Sequence, residues 1–211
     1  GLRRKRPAPE RNGEFMAPIA GNVSVKPLNE PLETFRLLLK VAKSKIDNPT
    51  EIILIGGAAA LLSGAVKRVT EDIDILASSE TIRMLKAAGI LRSPIQPVAD
   101  SFLCLHPDYR KACIYLRDLS FPPKIRVYRL SPLDLAVSKL SRFQQVDIED
   151  IEAILKNEKI ARKKLLKRYA TARAYYTNPK ATDFNMRLLI RKVYGEDFDP
   201  KKDLPQPEGR P

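Results

Sequence analysis

The chain has no tryptophan, a single histidine and two cysteines in 211 residues. His106 with Cys104 and Cys113, without C-x-x-C spacing, falls short of the four ligands that a structural zinc site needs. The cysteines are therefore expected as buried, reduced thiols of a cytoplasmic protein, and His106, set before Pro107 at a strand end, as a structural residue. No apolar run approaches the roughly 20 residues of a membrane-spanning helix, and no signal-peptide pattern follows Met16, which predicts a soluble chain with no membrane partner. Acidic residues are the minority, 25 against 38 Lys and Arg, leaving a net charge of +13. That excess favours polyanionic partners, because each cation placed on a phosphate releases counterions. Solubility alone is the other reading of a basic surface.

A chain of this length buries one good core and a small second subdomain at most. Residues 1–15, GLRRKRPAPERNGEF, are basic and proline-bearing without apolar periodicity, and read as a tag or disordered arm ahead of a natural start at Met16. An extended lead-in through Pro31 is followed by an amphipathic helix from Leu32, a buried strand at Glu51-Ile-Ile-Leu-Ile-Gly56, and a short helix over Ala58 to Leu62 closed by Gly64. Val69 to Leu76 alternates acidic and apolar residues with the period of a strand. Ser79 is expected to cap a helix ending at Gly89. Three strands are then predicted at Phe102 to Leu105, Ala112 to Leu116 and Ile125 to Tyr128, the last two joined by a turn at Pro122-Pro123. From Ser131-Pro132, with Ser at the N-cap and Pro at the first helical position, the chain is helical by period to about Tyr194. The expected organisation is an α/β (α+β) core with a mixed sheet over residues 16–130, a helical subdomain over 131–196, and a disordered tail over 197–211.

The chemistry centres on two features. Asp72 and Asp74, two apart on one strand, project on the same face with Cα atoms about 7 Å apart, so both reach one magnesium or manganese ion or bracket two. Gly56 and Gly57 leave the preceding strand where the backbone approaches phosphate without Cβ interference, and the helix start at Ala58 offers amides to the anion. Each feature alone has an ordinary meaning, a turn or a solvated edge strand. Their order, with a basic loop at Lys67 and Arg68 and Thr70 ahead of D-I-D, makes Gly56, Gly57, Ala58, Lys67, Arg68 and Thr70 candidate nucleotide contacts.

The segment IGGAAALLSGAVKRVTEDIDIL resembles the opening motif of the nucleotidyltransferase superfamily, with its GS- or GG-type turn and D-x-D strand. It is similar in particular to small bacterial and archaeal members grouped with AbiEii-like toxin components. SPLDLAVSKLSRFQQVDIEDIEAIL continues the resemblance, which spans Ile52 to Leu155. It implies a nucleotidyltransferase-type fold, a nucleoside triphosphate as substrate, triphosphate contacts at Gly56 and Gly57, metal at Asp72 and Asp74, Lys139 near the phosphates, and Asp147 or Asp150 completing the site. It also implies an acceptor such as tRNA or a protein side chain, and a toxin–antitoxin or phage-defence setting with an antitoxin partner. Two departures stand out. Gly57 replaces the Ser or Thr that prototype toxins carry, and the predicted strands Ala112 to Leu116 and Ile125 to Tyr128 lack the mid-strand third carboxylate of many superfamily enzymes.

Asp118, just past the first of those strands, is the nearest substitute as general base or ligand; its ordinary role would be to cap a turn. One-metal chemistry, or a base from the helical half, stays open. In the helix from Pro132, Leu133, Ala136, Val137 and Leu140 form the expected apolar stripe and leave Asp134 and Lys139 away from it; Lys139 reads either as a phosphate contact or as a solvated lysine. Asp147 and Asp150 read either as site acids or as helix N-terminal acids favoured by the macrodipole. The run from Lys156 to Arg173 offers Arg162, Lys163, Lys164, Lys167, Arg168 and Arg173 as nucleic-acid contacts or as a solvated face. A catalytically degenerate module that binds RNA or protein is the alternative to the enzyme, and terminal phosphoryl transfer is a third reading.

Overall fold

The structure is a computed structural model that describes residues 29–205; the expectations for residues 1–15, for Met16 and for the lead-in through residue 28 lie outside the described residues. Helix α1 (Glu30–Ala42) is capped by Asn29, whose side-chain oxygen accepts the Leu32 N–H at 3.2 Å. Pro31 sits inside its first turn, where a missing N–H costs no helical bond. Strand β1 (Thr50–Leu54) leads into α2 (Gly56–Leu62), which starts two residues before Ala58 and is closed by Gly64 at φ +75°. Strand β2 (Ile73–Leu76) is followed by α3 (Ser79–Ala87), whose N-cap is Ser78 rather than Ser79 because the Ser78 hydroxyl accepts the Thr81 N–H.

Among the described residues, three further strands complete a five-stranded mixed sheet: β3 (Ile95–Pro97), β4 (Ile114–Tyr115) and β5 (Ile125–Arg129), in the order β3-β2-β1-β5-β4. Strand β1 runs antiparallel to β2 and parallel to β5, while β3 runs parallel to β2. The strand predicted at Phe102 to Leu105 does not form. Residues Asp100–Phe102 make a 3-10 turn, Phe102 is 70% exposed, and the Cys104 N–H donates to the Ser141 hydroxyl at 2.7 Å rather than to a strand. Its apolar residues cover the helical core instead of extending the sheet. The strand that the sequence concealed is β3, short and ending in a proline that an edge strand tolerates.

The alternation of β1 and β2 divides the molecule into two apolar layers. Ile52, Leu54, Ile73 and Ile75 pack with Leu32, Phe35 and Leu39 of α1 and Leu85 of α3. Ile53, Ile55 and Leu76, with Tyr128, face the other way, onto Leu135, Val137, Ile151, Leu165, Tyr169 and Met186. Those last residues belong to α4 (Pro132–Lys139), α5 (Gln145–Asn157), α6 (Arg162–Tyr175) and α7 (Pro179–Tyr194). The sheet and these four helices therefore share one core. Ser131 caps α4 as expected, accepting the Asp134 N–H.

Two expectations for the helical half are corrected. Helix α4 is enclosed by α2, α5 and α6, so Asp134 and Lys139 are buried rather than solvated; Asp134 accepts both arms of Arg168 at 2.6 and 2.7 Å. Of the tail expected to be disordered over 197–211, the described residues 197–205 instead include α8 (Pro200–Asp203), with Phe198 buried in the helical core; residues 206–211 lie outside the described residues.

Candidate active site

The turn from β1 to α2 is built against Asp74. Ile55 donates its backbone N–H to the Asp74 carbonyl at 3.0 Å, and Gly56 follows at φ +59°, a left-handed conformation that side chains disfavour. A Cβ on Gly56 would stand 2.7 Å from Asp74 Oδ2, and one on Gly57 would stand 2.7 Å from Thr70 Oγ1. Both glycines are thus required by close approach, the first by the carboxylate itself. Thr70 is buried and donates its hydroxyl to the Asp72 carbonyl at 2.8 Å, which fixes the turn into β2. Ala58 is buried in the first turn of α2, whose leading N–H groups have no intrahelical acceptor.

Asp74 is half-buried and Asp72 is exposed. Burial raises the Asp74 carboxyl above the usual carboxylate range, and the Asp72 charge raises it further, while Arg142 and Lys139 partly oppose the shift. Among the described residues, no hydrogen bond offsets that shift. A carboxylate pair held together in this way, with hard oxygen donors, suits a divalent cation of the magnesium or manganese type, which takes one or two carboxylates and completes its shell with substrate phosphates and water. Among the described residues, no group of three or more His, Cys, Asp or Glu stands where it could hold a metal ion.

Beside this corner lies a buried ion cluster. The Lys139 ammonium is 3.0 Å from Asp147 and 2.8 Å from Asp150, all three residues at most 5% exposed. Arg68, from the loop before β2, donates to both oxygens of Asp150 at 3.0 and 2.6 Å. Arg142 donates twice to Asp147 at 2.8 Å, and the Gln144 N–H caps the same carboxylate at 3.1 Å. Burial alone would raise Asp147, but the Arg142 hydrogen bonds and the Lys139 charge prevail and hold it below the ordinary value. Each carboxylate is therefore committed to cations. Asp147 and Asp150 orient Lys139, Arg142 and Arg68 and do not stand with Asp72 and Asp74 as ligands.

The remaining expected residues are placed elsewhere. Lys67 is exposed in the loop between α2 and β2. Asp118 lies in the 3-10 turn Arg117–Leu119 after β4. Because β4 runs antiparallel to β5, with Ile114 opposite Arg129 and Tyr115 opposite Tyr128, that turn reaches the end of the sheet where β1 begins. Gly56 stands at the other end, about five residues or on the order of 16 Å away. Asp118 therefore does not join Asp72 and Asp74; the charge it influences is that of Arg36 on α1. On α6, Arg168 is held by Asp134, Arg173 by Asp183, and Arg162 by Glu196 and Asp203. These arginines tie helices together. Lys163, Lys164 and Lys167 are exposed.

Two residues that the sequence did not single out lie beside Asp74. Arg142, more than half exposed at its side chain, is coupled by charge to Asp74; the Lys-Leu-x-Arg spacing in SKLSRF was its only signal. Gln96 of β3 is the register partner of Asp74, so its side chain leaves the sheet on the same face, one strand spacing of about 4.8 Å away. The strands expected to carry a third acid, at residues 112–116 and 125–128, lie on the far side of β1 from Asp74. The strand beside Asp74 carries an amide instead.

Residues 33–195 match the model of a family described as nucleotidyltransferase of unknown function (DUF6036). No curated protein and no solved structure matches the chain.

Proposed function

Since the chain belongs to this family of nucleotidyltransferases of unknown function, we propose that it transfers a nucleoside monophosphate from a nucleoside triphosphate to a hydroxyl acceptor, with magnesium or manganese held by Asp72 and Asp74. The observation that carries this reading is the fit of Gly56 against Asp74, where a Cβ would stand 2.7 Å from Oδ2. That contact brings an open backbone turn, suited to phosphate, onto an incompletely neutralised carboxylate pair. A cation bound there neutralises charge on the triphosphate and on departing pyrophosphate. The protein residues do the positioning. Arg142 and Lys139 present positive charge from the opposite wall, and Asp147 and Asp150 hold both at fixed angles. In the transfer, the acceptor oxygen forms a bond to the α-phosphorus, the bond from that phosphorus to the bridging oxygen breaks, pyrophosphate leaves with the electron pair, and the hydroxyl proton passes to water.

The acceptor we propose is RNA, such as tRNA, supported by the excess of Lys and Arg over Asp and Glu that remains outside residues 1–15 and by the exposed Lys163, Lys164 and Lys167. A toxin–antitoxin setting in the cytoplasm belongs to the same proposal; the two buried, free thiols suit a reducing compartment. A second reading, a binding module without turnover, is favoured by Gln96, an amide rather than a carboxylate, pairing in register with Asp74.

Incubation with α-labelled and γ-labelled triphosphates separates the readings. Label retained on RNA from the α position, lost in the D72N/D74N double variant, supports nucleotidyl transfer. Label transferred only from the γ position identifies phosphoryl transfer, and label persisting in the double variant overturns the site.

A further inference from the structure

The inference concerns the open side of the Asp72–Asp74 pair, and it rests on the metal-and-triphosphate reading above. Asp74 is enclosed on two sides. Gly56 closes against its Oδ2 from β1, and the charges of Arg142 and Lys139 bear on it from the helical wall. On the third side stands β3, where Gln96 pairs with Asp74 in register and is exposed. An exposed polar side chain beside Asp74, on the same face of the sheet and one strand away, is placed to meet substrate bound there.

We propose that Gln96 receives the acceptor hydroxyl, and that with an amide at this position the chain holds one divalent cation rather than two. An amide oxygen accepts from an O–H and its NH2 donates to an oxygen, so Gln96 can align a hydroxyl without taking its proton. It also brings no charge. Arg68, Lys139 and Arg142 make their direct ion pairs with Asp147 and Asp150 among the described residues, three cations on two acids, and the remaining positive charge bears on Asp74. Asp72 and Asp74 balance one divalent cation; a second beside these cations has no anion of the protein to meet it. A cation at the carboxylates and a neutral aligning group on the next strand place the triphosphate and the acceptor side by side on one face of the sheet.

The test is a titration of the full chain with Mn2+ alone, followed by electron paramagnetic resonance, together with steady-state kinetics. The wild type is expected to bind one Mn2+ per chain, Q96E to bind a second, and D72N/D74N to bind none. Q96A should keep one Mn2+ and lower kcat/KM for the acceptor at least tenfold, with KM for the triphosphate within twofold of wild type. Circular dichroism confirms that each variant is folded, and Q96A carries the test where Q96E is not. Two ions on the wild type, one ion on folded Q96E, or a Q96A defect in triphosphate KM instead of acceptor use overturns the Gln96 assignment while leaving the metal reading intact. A wild type that binds no Mn2+ overturns the metal reading and this assignment together.

Discussion

The Arg68 guanidinium closes on both oxygens of the Asp150 carboxylate at 3.0 and 2.6 Å, joining the loop before β2 to α5 across 82 residues of sequence. Lys139 reaches the same carboxylate at 2.8 Å, so one acid fixes two cations from separate elements. Removing it leaves Lys139 buried beside a single partner. D150A is expected to destabilise the fold by about 3–5 kcal/mol, the usual consequence of breaking a buried pair from one side. Urea unfolding measures this; a change below about 1 kcal/mol would show that the cluster does not hold the loop.

Gly56 and Gly64 share a left-handed backbone, at φ +59° and +75°, but differ in surroundings. A Cβ at Gly64 meets nothing within 4 Å, whereas one at Gly56 meets Asp74 Oδ2 at 2.7 Å. G56A and G64A should therefore carry similar backbone strain, about 1–2 kcal/mol. Only G56A displaces the carboxylate, and a displacement on the order of 1 Å is enough to lower transfer about 100-fold. Equal activity of the two variants would detach Gly56 from the site.

Asp74 and Asp147 should respond to pH in opposite directions. Burial and the neighbouring Asp72 raise Asp74 in the folded state, so its ionised form opposes folding at neutral pH, and the penalty fades as pH falls through the raised value toward the ordinary one. D74N should then raise Tm at pH 7.5 by on the order of 1–3 °C, with a smaller gain near pH 4. Asp147 is held low despite its burial because Arg142 and Lys139 outweigh it. Its ionised form contributes stability above the ordinary carboxylate value, and that contribution is lost as pH falls through the lowered one. D147N should lower Tm at pH 7.5 by a margin that narrows in acid. Scanning calorimetry of both variants at the two pH values checks the signs, and a matching trend in both would contradict the assigned environments.

The thiols offer a test of the core. Burial pushes both Cys104 and Cys113 up to about 12, and the thiolate is the reactive form. Alkylation by iodoacetamide at pH 8 should be at least 100-fold slower in the folded chain than in urea, read by mass spectrometry. Fast labelling of either residue under native conditions would place it at the surface.

The half of the site that was legible in the sequence is the half made by neighbours in sequence. Gly56, Gly57, Asp72 and Asp74 are set by a strand end, a tight turn and a period-two strand, all local features. Lys139, Asp147 and Asp150 were identified, but their roles were not, because a lysine off the apolar stripe of α4 reads as solvated until α2, α5 and α6 enclose that helix. Arg68 likewise gives no sign of its carboxylate 82 residues away. Gln96 was hidden for a different reason. Strand β3 has three residues, follows Pro94 and ends at Pro97, too short for alternation to register, and its importance comes from pairing with Asp74, which no local pattern encodes. The longer apolar run from Phe102 has the pattern of a strand, but its Cys104 N–H bonds a helix-end serine.

The basic helix α6 separates into two kinds of cation, and RNA binding should follow that division. Arg168 is bound at both arms by an Asp134 that is only 1% exposed, so R168A strips a buried carboxylate of its partner and should cost about 3–5 kcal/mol in stability. Lys163 and Lys164 are exposed in the first turn of the same helix, where neutralising them leaves the core untouched. K163Q/K164Q should unfold within about 0.5 kcal/mol of wild type. If both lysines lie on phosphates, the variant also lowers the slope of log affinity for single-stranded RNA against log salt by roughly 0.7 per lysine. Fluorescence anisotropy with a labelled tRNA acceptor stem and an unstructured RNA, each at several salt concentrations, provides the slopes. Unchanged slopes on both RNAs would remove α6 from the acceptor surface and leave the lysines with solubility alone.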